Sequence, residues 1–214
     1  MDVIALMSQK GGAGKSTLAL HLAAEAAVSL HRILLLDLDP QGNLVGWAQR
    51  RGERPPDVEG VHPSSLARVL ETARGEGYDR VFLDTAPTAD RTTMLAAQSA
   101  DLVVVPCRPA QFDLDAMDAT LATLKMLARP AVVVLNAAPV RSRITAEARE
   151  LLTGKGALVA PVVVHQRVAL QHCLTTGQTA AEYDPGCTAA REVGLLYDNL
   201  MACIRADTTT RKVA

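Results

Sequence analysis

The sequence feature that most constrains the fold is a glycine-rich segment near the N-terminus. Residues 10–17 read Lys-Gly-Gly-Ala-Gly-Lys-Ser-Thr, follow an apolar run at 3–7 and open a helix-compatible stretch at 16–30. Glycines allow a tight turn whose backbone N–H groups point at phosphate oxygens, and the start of the following helix attracts the same negative charge. The small residues predicted to surround the phosphates are Gly11, Gly12, Ala13 and Gly14. A strand, a phosphate-binding loop and a helix are therefore predicted in that order, with ATP and Mg²⁺ as ligands.

The loop contains two lysines. Lys15 is expected to reach the β- and γ-phosphates, the Ser16 hydroxyl to ligate Mg²⁺ and Thr17 to lie near the α-phosphate. The usual pattern, Gly-x-x-x-x-Gly-Lys-Ser/Thr, has its first glycine where this chain has Gln9. The next residue, Lys10, is an additional lysine whose ammonium would face the phosphates. A second phosphate-directed lysine is therefore a better interpretation than a solvated one.

Apolar runs alternate with helix-compatible stretches along the chain. The runs lie at 3–7, 33–36, 81–83, 102–105, 131–135 and 158–164, and the helical stretches at 16–30, 91–99, 114–128, 145–152 and 188–204. Such alternation predicts an α/β fold with a mostly parallel, twisted sheet and helices on both faces. Aromatic residues make up only 3% of the chain, so the core must be aliphatic, as suits buried parallel strands.

The 214 residues are expected to form one domain, 1–214. The glycine- and proline-rich segment 50–63 is interpreted as an irregular loop, and 206–214 as a disordered tail. In the helix at 188–204, an apolar stripe predicts docking on the sheet. The stripe consists of Val193, Leu196, Leu200 and Ile204. The alternative, a membrane-surface anchor, is disfavoured because the polar face has few cations.

Charge and composition limit the kinds of partner that the chain is expected to bind. The net charge is −1, so any DNA binding must come from a local basic patch rather than from the whole domain. The four cysteines show no Cys-x-x-Cys pair, which is typical of reduced thiols. Because neither a basic leader nor a run of about 20 apolar residues is visible, we expect a cytoplasmic protein without a membrane partner.

Acidic residues follow two of the apolar runs. Asp37 and Asp39 end the run at 33–36 and, with a period of two, project on the same side. Asp84 ends the run at 81–83 in the same way. Carboxylates at the carboxyl end of a parallel sheet can hold a metal-bound water or orient an attacking water. Alternatively, the first two simply cap a loop.

Taken together, these motifs resemble the deviant Walker A ATPases of the ParA/MinD family, over residues 1 to about 204, and most of all the small ParA (ParF-like) type. The resemblance implies that Lys10 reaches across a face-to-face homodimer to the partner's ATP. It also implies that Asp39 positions the hydrolytic water and that Asp84 holds Mg²⁺ through a water molecule. Asp37 would support either the Mg²⁺ shell or the switch region.

Further residues are assigned by family position. Asn136, after the run at 131–135, is a candidate adenine contact or a simple turn residue. The segment 101–109 resembles part of the family's dimer surface or is a strand ended by a proline. Arg167 and Arg191 are candidate DNA contacts or solvated arginines. The chain departs from several relatives after Pro185, where Gly-Cys-Thr replaces basic residues.

The function implied by the resemblance is partition of a plasmid or chromosome. ATP would drive formation of a homodimer, or of a higher-order assembly, that binds nucleoid DNA without reading its sequence. A ParB-like or ParG-like adaptor would stimulate slow hydrolysis to ADP and release the complex. Three alternatives remain: positioning of a protein cargo, a MinD-like membrane-bound regulator, and a carrier like the nitrogenase iron protein. The last needs a cysteine spacing that this chain does not show.

Overall fold

The computed structural model describes residues 1–29, 32–87 and 91–213, with side chains described as far as residue 206. Within that part of the chain, six parallel strands form one sheet in the order β3-β2-β4-β1-β5-β6. The strands are β1 (Asp2–Leu6), β2 (Ile33–Asp37), β3 (Asp57–Gly60), β4 (Arg80–Asp84), β5 (Leu102–Cys107) and β6 (Ala131–Leu135). The carboxyl ends of β1, β2 and β4 therefore meet at one edge of the sheet.

Helices cover both faces of the sheet. They are α1 (Lys15–Val28), α2 (Asn43–Arg51), α3 (Leu66–Gly75), α4 (Arg91–Ser99), α5 (Gln111–Asp115), α6 (Met117–Leu127), α7 (Ile144–Gly154), α8 (Ala169–His172), α9 (Ala180–Tyr183) and α10 (Thr188–Val213). Short 3₁₀ turns lie at Pro63–Ser65 and Cys173–Thr176. Alternate residues of each central strand enter two separate cores, for example Ile4 on one face and Val3 on the other. One core contains α1, α2 and α10, and the other contains α3, α4, α6 and α7.

Two of the predicted segments differ in the structure. The segment 50–63 is not wholly irregular, because Asp57–Gly60 forms the edge strand β3, paired with β2. Its residues are mostly exposed, so backbone hydrogen bonds rather than apolar burial hold it, and no apolar run marks it. The run at 158–164 is not a strand. It bonds to β6 at isolated points, and Pro161, which has no N–H to donate, interrupts it.

The last helix docks as predicted but extends further. The apolar stripe of α10 is buried in the core that also contains α1. The helix continues past residue 204 to Val213, through most of the segment expected to be a disordered tail, because no Gly or Pro interrupts it. Ala214 lies outside the described residues. In the described chain, no helix is both long enough and apolar enough to cross a bilayer.

The end of α2 is locked against the segment that follows α8. Arg51 is 5% exposed; it donates to the Gly177 carbonyl at 3.0 Å and pairs with Glu182 at 2.6 Å. The Trp47 indole donates to the Gln178 carbonyl at 3.3 Å. Gly177 has a φ of +67°, and a Cβ there would lie 2.4 Å from the backbone nitrogen of Arg51. Only glycine fits this contact.

We predict that Gly177→Ala lowers the free energy of unfolding by about 2 kcal/mol or more, because left-handed strain adds to a backbone clash. Gly75→Ala is the matched control, since a Cβ at Gly75 meets nothing within 4 Å. That control should change stability by no more than about 0.5 kcal/mol. Urea unfolding of the two variants measures both free energies. Equal effects would contradict the requirement for glycine at the contact between residue 177 and the end of α2.

Candidate functional site

The glycine-rich loop is braced from the end of β6. Gly12 and Gly14 have φ values of +73° and +89°, a left-handed conformation that glycine adopts without strain. The buried Asn136 side-chain amide donates to the Ala13 carbonyl at 2.7 Å. A Cβ at Gly14 would lie 2.3 Å from the same amide nitrogen. The loop conformation therefore requires both the glycine and the asparagine. Asn136 thus contacts the loop and also lines a cavity described below, and its contact with adenine stays a prediction.

A second side chain, which the sequence analysis did not single out, also contacts the loop. Arg108 follows β5, the strand next to β1, and its guanidinium donates to the Gly12 carbonyl. A Cβ at Gly12 would lie 2.9 Å from that guanidinium. The available signal was a cation directly after a central strand. The exposed Arg108 thus adds positive charge at the mouth of the loop.

The two lysines of the loop occupy opposite environments. Lys15, the first residue of α1, is 6% exposed. Burial lowers its pKa, and the carboxylates of Asp84 and Asp39 oppose that shift. Lys10 is exposed, and its backbone N–H donates to the Ser8 hydroxyl at 3.3 Å. One ammonium therefore faces the interior of the site, while the other is free to face outward.

Asp84 has the least compensated charge of the site. It is fully buried, and neither carboxylate oxygen has a hydrogen-bond partner among the described residues. Burial, together with Asp37 and Asp39, raises its pKa to about 7. Ser16 lies near enough to lower that pKa in part, but its hydroxyl does not reach hydrogen-bonding geometry. A buried carboxylate without partners, next to a hydroxyl, fits Mg²⁺ or the water around it.

The described residues contain no cluster of three or more His, Cys, Asp or Glu side chains arranged to hold a metal. Mg²⁺ usually keeps several waters and binds through one or two carboxylates together with substrate phosphates. The residues present suit that mode: Asp84 and Ser16 would supply the protein side, and nucleotide phosphates the remainder.

The carboxylate of Asp37 is already engaged. It accepts hydrogen bonds from the backbone N–H groups of Asp39 at 3.1 Å, Leu44 at 2.9 Å and Val45 at 3.3 Å. Burial raises its pKa, and these bonds oppose the shift. Asp37 therefore caps the turn into α2, as in the loop-capping alternative for these acids, and its role in the switch region stays a prediction. A part in the metal shell stays a prediction.

Asp39 lies in the same turn, two residues after Asp37. It is half-buried, and its carboxylate accepts from the Gln41 N–H at 2.9 Å. It also lines a cavity of about 520 Å³. The cavity extends from the loop to α2, and its lining includes Gly12, Lys15, Ser16, Trp47 and Leu174. Asp39 is thus placed to act on a molecule bound in the loop.

A second cavity, of about 260 Å³, also borders Thr17. Its lining includes Gly14, Arg108, Asn136, Gln166, Arg167 and Gln171. Both cavities share Gly12, Gly14 and Thr17, so the loop joins them. The larger cavity contains Asp39 and Lys15, which are expected near phosphates, and the smaller one is lined by the side-chain amides of Asn136, Gln166 and Gln171.

The two candidate DNA contacts have different surroundings. Arg167 donates to the Glu192 carboxylate at 2.7 Å and lines the smaller cavity. Arg191 is exposed on α10. A further basic residue, Arg149, donates to the Ala160 and Pro161 carbonyls, which holds the irregular segment beside β6. Contact of Arg167 and Arg191 with DNA stays a prediction.

His21 ties the helix of the loop to the C-terminal part of the chain. Its Nδ1 bonds to the Thr17 carbonyl at 2.8 Å, and its Nε2 to the Ala180 N–H at 3.1 Å. Since Nε2 must accept from an N–H, the ring is neutral with its proton on Nδ1. Burial lowers its pKa to about 4. The first turn of α1 is therefore fixed to the start of α9.

Known proteins resemble this chain over most of its length. Residues 4–180 match the CobQ/CobB/MinD/ParA nucleotide binding domain. The chromosome-partitioning ATPase Soj of Thermus thermophilus is 30% identical over 239 aligned positions, covering 94% of this chain and 96% of Soj. Maintenance of carboxysome distribution protein A of Gloeobacter kilaueensis is 34% identical over 178 positions, covering 79% and 81% of the two chains.

Solved structures share the fold. A putative plasmid partition protein from Borrelia burgdorferi, bound to AMPPNP, has a TM-score of 0.74 at 17% identity and covers 94% of this chain and 98% of its own. MinD of Pyrococcus horikoshii, complexed with Mg-ADP, has a TM-score of 0.74 at 18% identity, with coverage of 93% and 95%. At these identities the likeness concerns the fold alone. The predicted α/β P-loop fold is confirmed.

We predict that His21 makes stability depend on pH. The unfolded ring binds a proton below its ordinary pKa of 6.5, whereas the folded ring does so only near 4. The free energy of unfolding should therefore fall as pH drops from 6.5 toward 4, by up to about 3 kcal/mol. Urea unfolding of the wild type and of His21→Leu is measured across this pH range. The difference between their free energies of unfolding removes the contributions of all other titrating groups, which the two proteins share. A difference between them that does not change with pH would contradict the assignment.

Proposed function

Because the chain belongs to the CobQ/CobB/MinD/ParA family of nucleotide-binding domains, we propose that it is a ParA-type ATPase that uses ATP binding to dimerise and attach to DNA. One observation carries the proposal. The loop has a buried lysine, Lys15, and an exposed lysine, Lys10. We propose that Lys15 serves the subunit's own nucleotide and that Lys10 serves the nucleotide of a second subunit. An ordinary phosphate loop needs only the first of these.

The two cavities suggest how ATP is bound. The triphosphate would lie on the loop and face Lys15 and Asp39, and Mg²⁺ would be held by Ser16 and by Asp84 through water. The base and sugar would occupy the 260 Å³ cavity, where Asn136 and Gln166 offer hydrogen-bonding amides to a purine edge. Thr17, which lines both cavities, would lie near the α-phosphate.

Hydrolysis would then require little covalent chemistry from the protein. Asp39 would orient the attacking water in line with the γ-phosphate, while Lys15 and the loop N–H groups stabilise the charge that develops. Mg²⁺ neutralises phosphate charge when it is bound. Lys10 of a second copy would add a positive charge only in the dimer. With only one carboxylate to orient the water, hydrolysis to ADP would be slow. Slow hydrolysis would set the lifetime of the ATP-bound state.

The cellular role follows from the relatives. Soj is named as a chromosome-partitioning ATPase, so we propose that this protein moves a plasmid or chromosome segment. The ATP-bound homodimer, or a higher-order assembly, would bind nucleoid DNA in the cytoplasm without reading sequence. A ParB-like or ParG-like adaptor on the cargo would stimulate hydrolysis. A protein cargo is the second candidate, because a carboxysome distribution protein is 34% identical.

A MinD-like membrane role is less well supported. The apolar stripe of α10 that such an anchor would need is buried in the core that contains α1. Its residues Leu196 and Leu200 are fully buried. An amphipathic anchor must present its apolar face to lipid, and this face is already covered. DNA attachment is therefore the proposed mode.

We predict that Lys10→Ala abolishes ATP-dependent dimerisation and lowers hydrolysis roughly a hundredfold or more, because the transition state loses a charge supplied in trans. The monomer should still bind ATP through Lys15. Lys125→Ala, which removes an exposed lysine from α6, is the matched control. Analytical ultracentrifugation with ATP and a phosphate-release assay measure both effects. Normal dimerisation and hydrolysis in Lys10→Ala would rule out the trans role.

We predict that DNA binding requires a non-hydrolysable ATP analogue, is absent with ADP, and weakens steeply with salt. A chain of net charge −1 binds phosphates only through a local patch that dimerisation doubles. Arg191→Ala should reduce the salt dependence by about one counterion per protomer. Arg74→Ala, an exposed arginine on α3, is the control. Fluorescence anisotropy measures the binding, and equal affinity with ADP and the analogue would refute ATP-gated attachment.

A further inference from the structure

Glu192 holds one wall of the smaller cavity in place. This residue of α10 is 8% exposed, and its carboxylate accepts three hydrogen bonds from the segment 165–167. The backbone N–H of His165 donates at 3.0 Å, the His165 ring nitrogen Nδ1 lies at 2.8 Å, and the Arg167 guanidinium donates at 2.7 Å. Three contacts on one buried carboxylate fix both the backbone and the side chains of this segment.

The segment depends on this carboxylate because its other connections are few. It continues the irregular stretch beside β6, which pairs with the sheet only at isolated points. On the side facing β6, the backbone N–H of Gln166 donates to the Ala138 carbonyl at 2.8 Å. On the other side, Glu192 supplies the contacts. His165, Gln166 and Arg167 all line the 260 Å³ cavity, so a shift of the segment would change its shape.

The contacts of Glu192 are directed to the cavity wall rather than to the docking of α10. The helix is already fixed by its buried apolar stripe, to which the neighbouring Val193 belongs. Burial by itself would raise the pKa of Glu192, but the bonds from Arg167 and His165 hold it below its usual range, so the carboxylate is ionised.

We propose that Glu192 is a positioning residue for the nucleoside half of the bound nucleotide. It acts through His165 and Arg167, whose segment forms the wall against which the base and sugar are held. The phosphate half, which rests on the loop and α1, does not depend on it. This inference rests on the proposed binding of ATP, and it goes beyond that proposal by assigning a role to a side chain of the C-terminal helix.

The test compares the affinity for the whole nucleotide with the affinity for its phosphate half alone. Glu192→Gln keeps the size of the side chain but replaces one of its two accepting oxygens with an NH₂ group, which donates and cannot accept. We expect the Kd for ATP to rise about tenfold, as for loss of a charge-assisted hydrogen bond. The inhibition constant of Mg-tripolyphosphate, measured by displacement of a fluorescent ATP analogue, should stay within about twofold. A purely structural defect would weaken both ligands together.

Controls make each outcome decisive. Asp198→Asn changes an exposed acid of the same helix to its amide and should leave both constants unchanged. If Glu192 acts through Arg167, the double variant Glu192→Gln with Arg167→Gln should bind ATP no more weakly than whichever single variant has the higher Kd. Thermal melting checks folding, and Arg167→Gln alone, expected to weaken ATP about threefold, serves if Glu192→Gln unfolds.

An unchanged ATP Kd in the folded Glu192→Gln protein, or an equal loss for ATP and tripolyphosphate, would overturn the positioning role. Failure of the wild type to bind ATP would instead overturn the proposed function itself. The two failures are therefore distinguishable in the same set of titrations.

Discussion

The site depends on one constraint, the conformation of the loop between β1 and α1. The loop bends where Gly12 and Gly14 take left-handed angles, and the Asn136 amide holds the Ala13 carbonyl from the end of β6. Any Cβ at Gly14 would strike that amide. Because β1 lies between β4 and β5, this one loop brings Lys15 against Asp84 and also sets the border between the two cavities.

Next to this loop the protein buries charged groups that its own described residues compensate only in part. Asp84 is buried without a hydrogen-bond partner in the described chain, and the buried Lys15 nearby compensates its charge only in part, since the pKa of Asp84 is still raised. Such groups are costly in a folded protein unless another charge compensates them. A nucleotide with Mg²⁺ would supply both signs. The hydrogen bonds of His21 and Asp37 hold the surrounding backbone in place. The site therefore keeps its shape although it contains these unfavourable charges.

Much of the fold could be predicted because buried parallel strands are continuous apolar runs. The run at 131–135 and the helical stretch at 91–99 match β6 and α4 residue for residue. The edge strand β3, whose residues are mostly exposed, and the helix α2, whose start depends on the Asp37 carboxylate across the preceding turn, gave no comparable signal. Arg108 and Glu192 were missed for the same reason: their partners, Gly12 and His165, are far away in sequence.

The sequence by itself determined the α/β class, the phosphate loop and the two lysines, because these depend on local spacing: glycines for the turn, a helix start after it, and an apolar run before it. Only the tertiary structure decided which lysine is buried, which carboxylate caps a helix and which lacks a partner, and which arginines line the smaller cavity. Those properties depend on what packs against a side chain. Burial and hydrogen bonding at the carboxyl edge of the sheet are set by segments that the chain order keeps far apart.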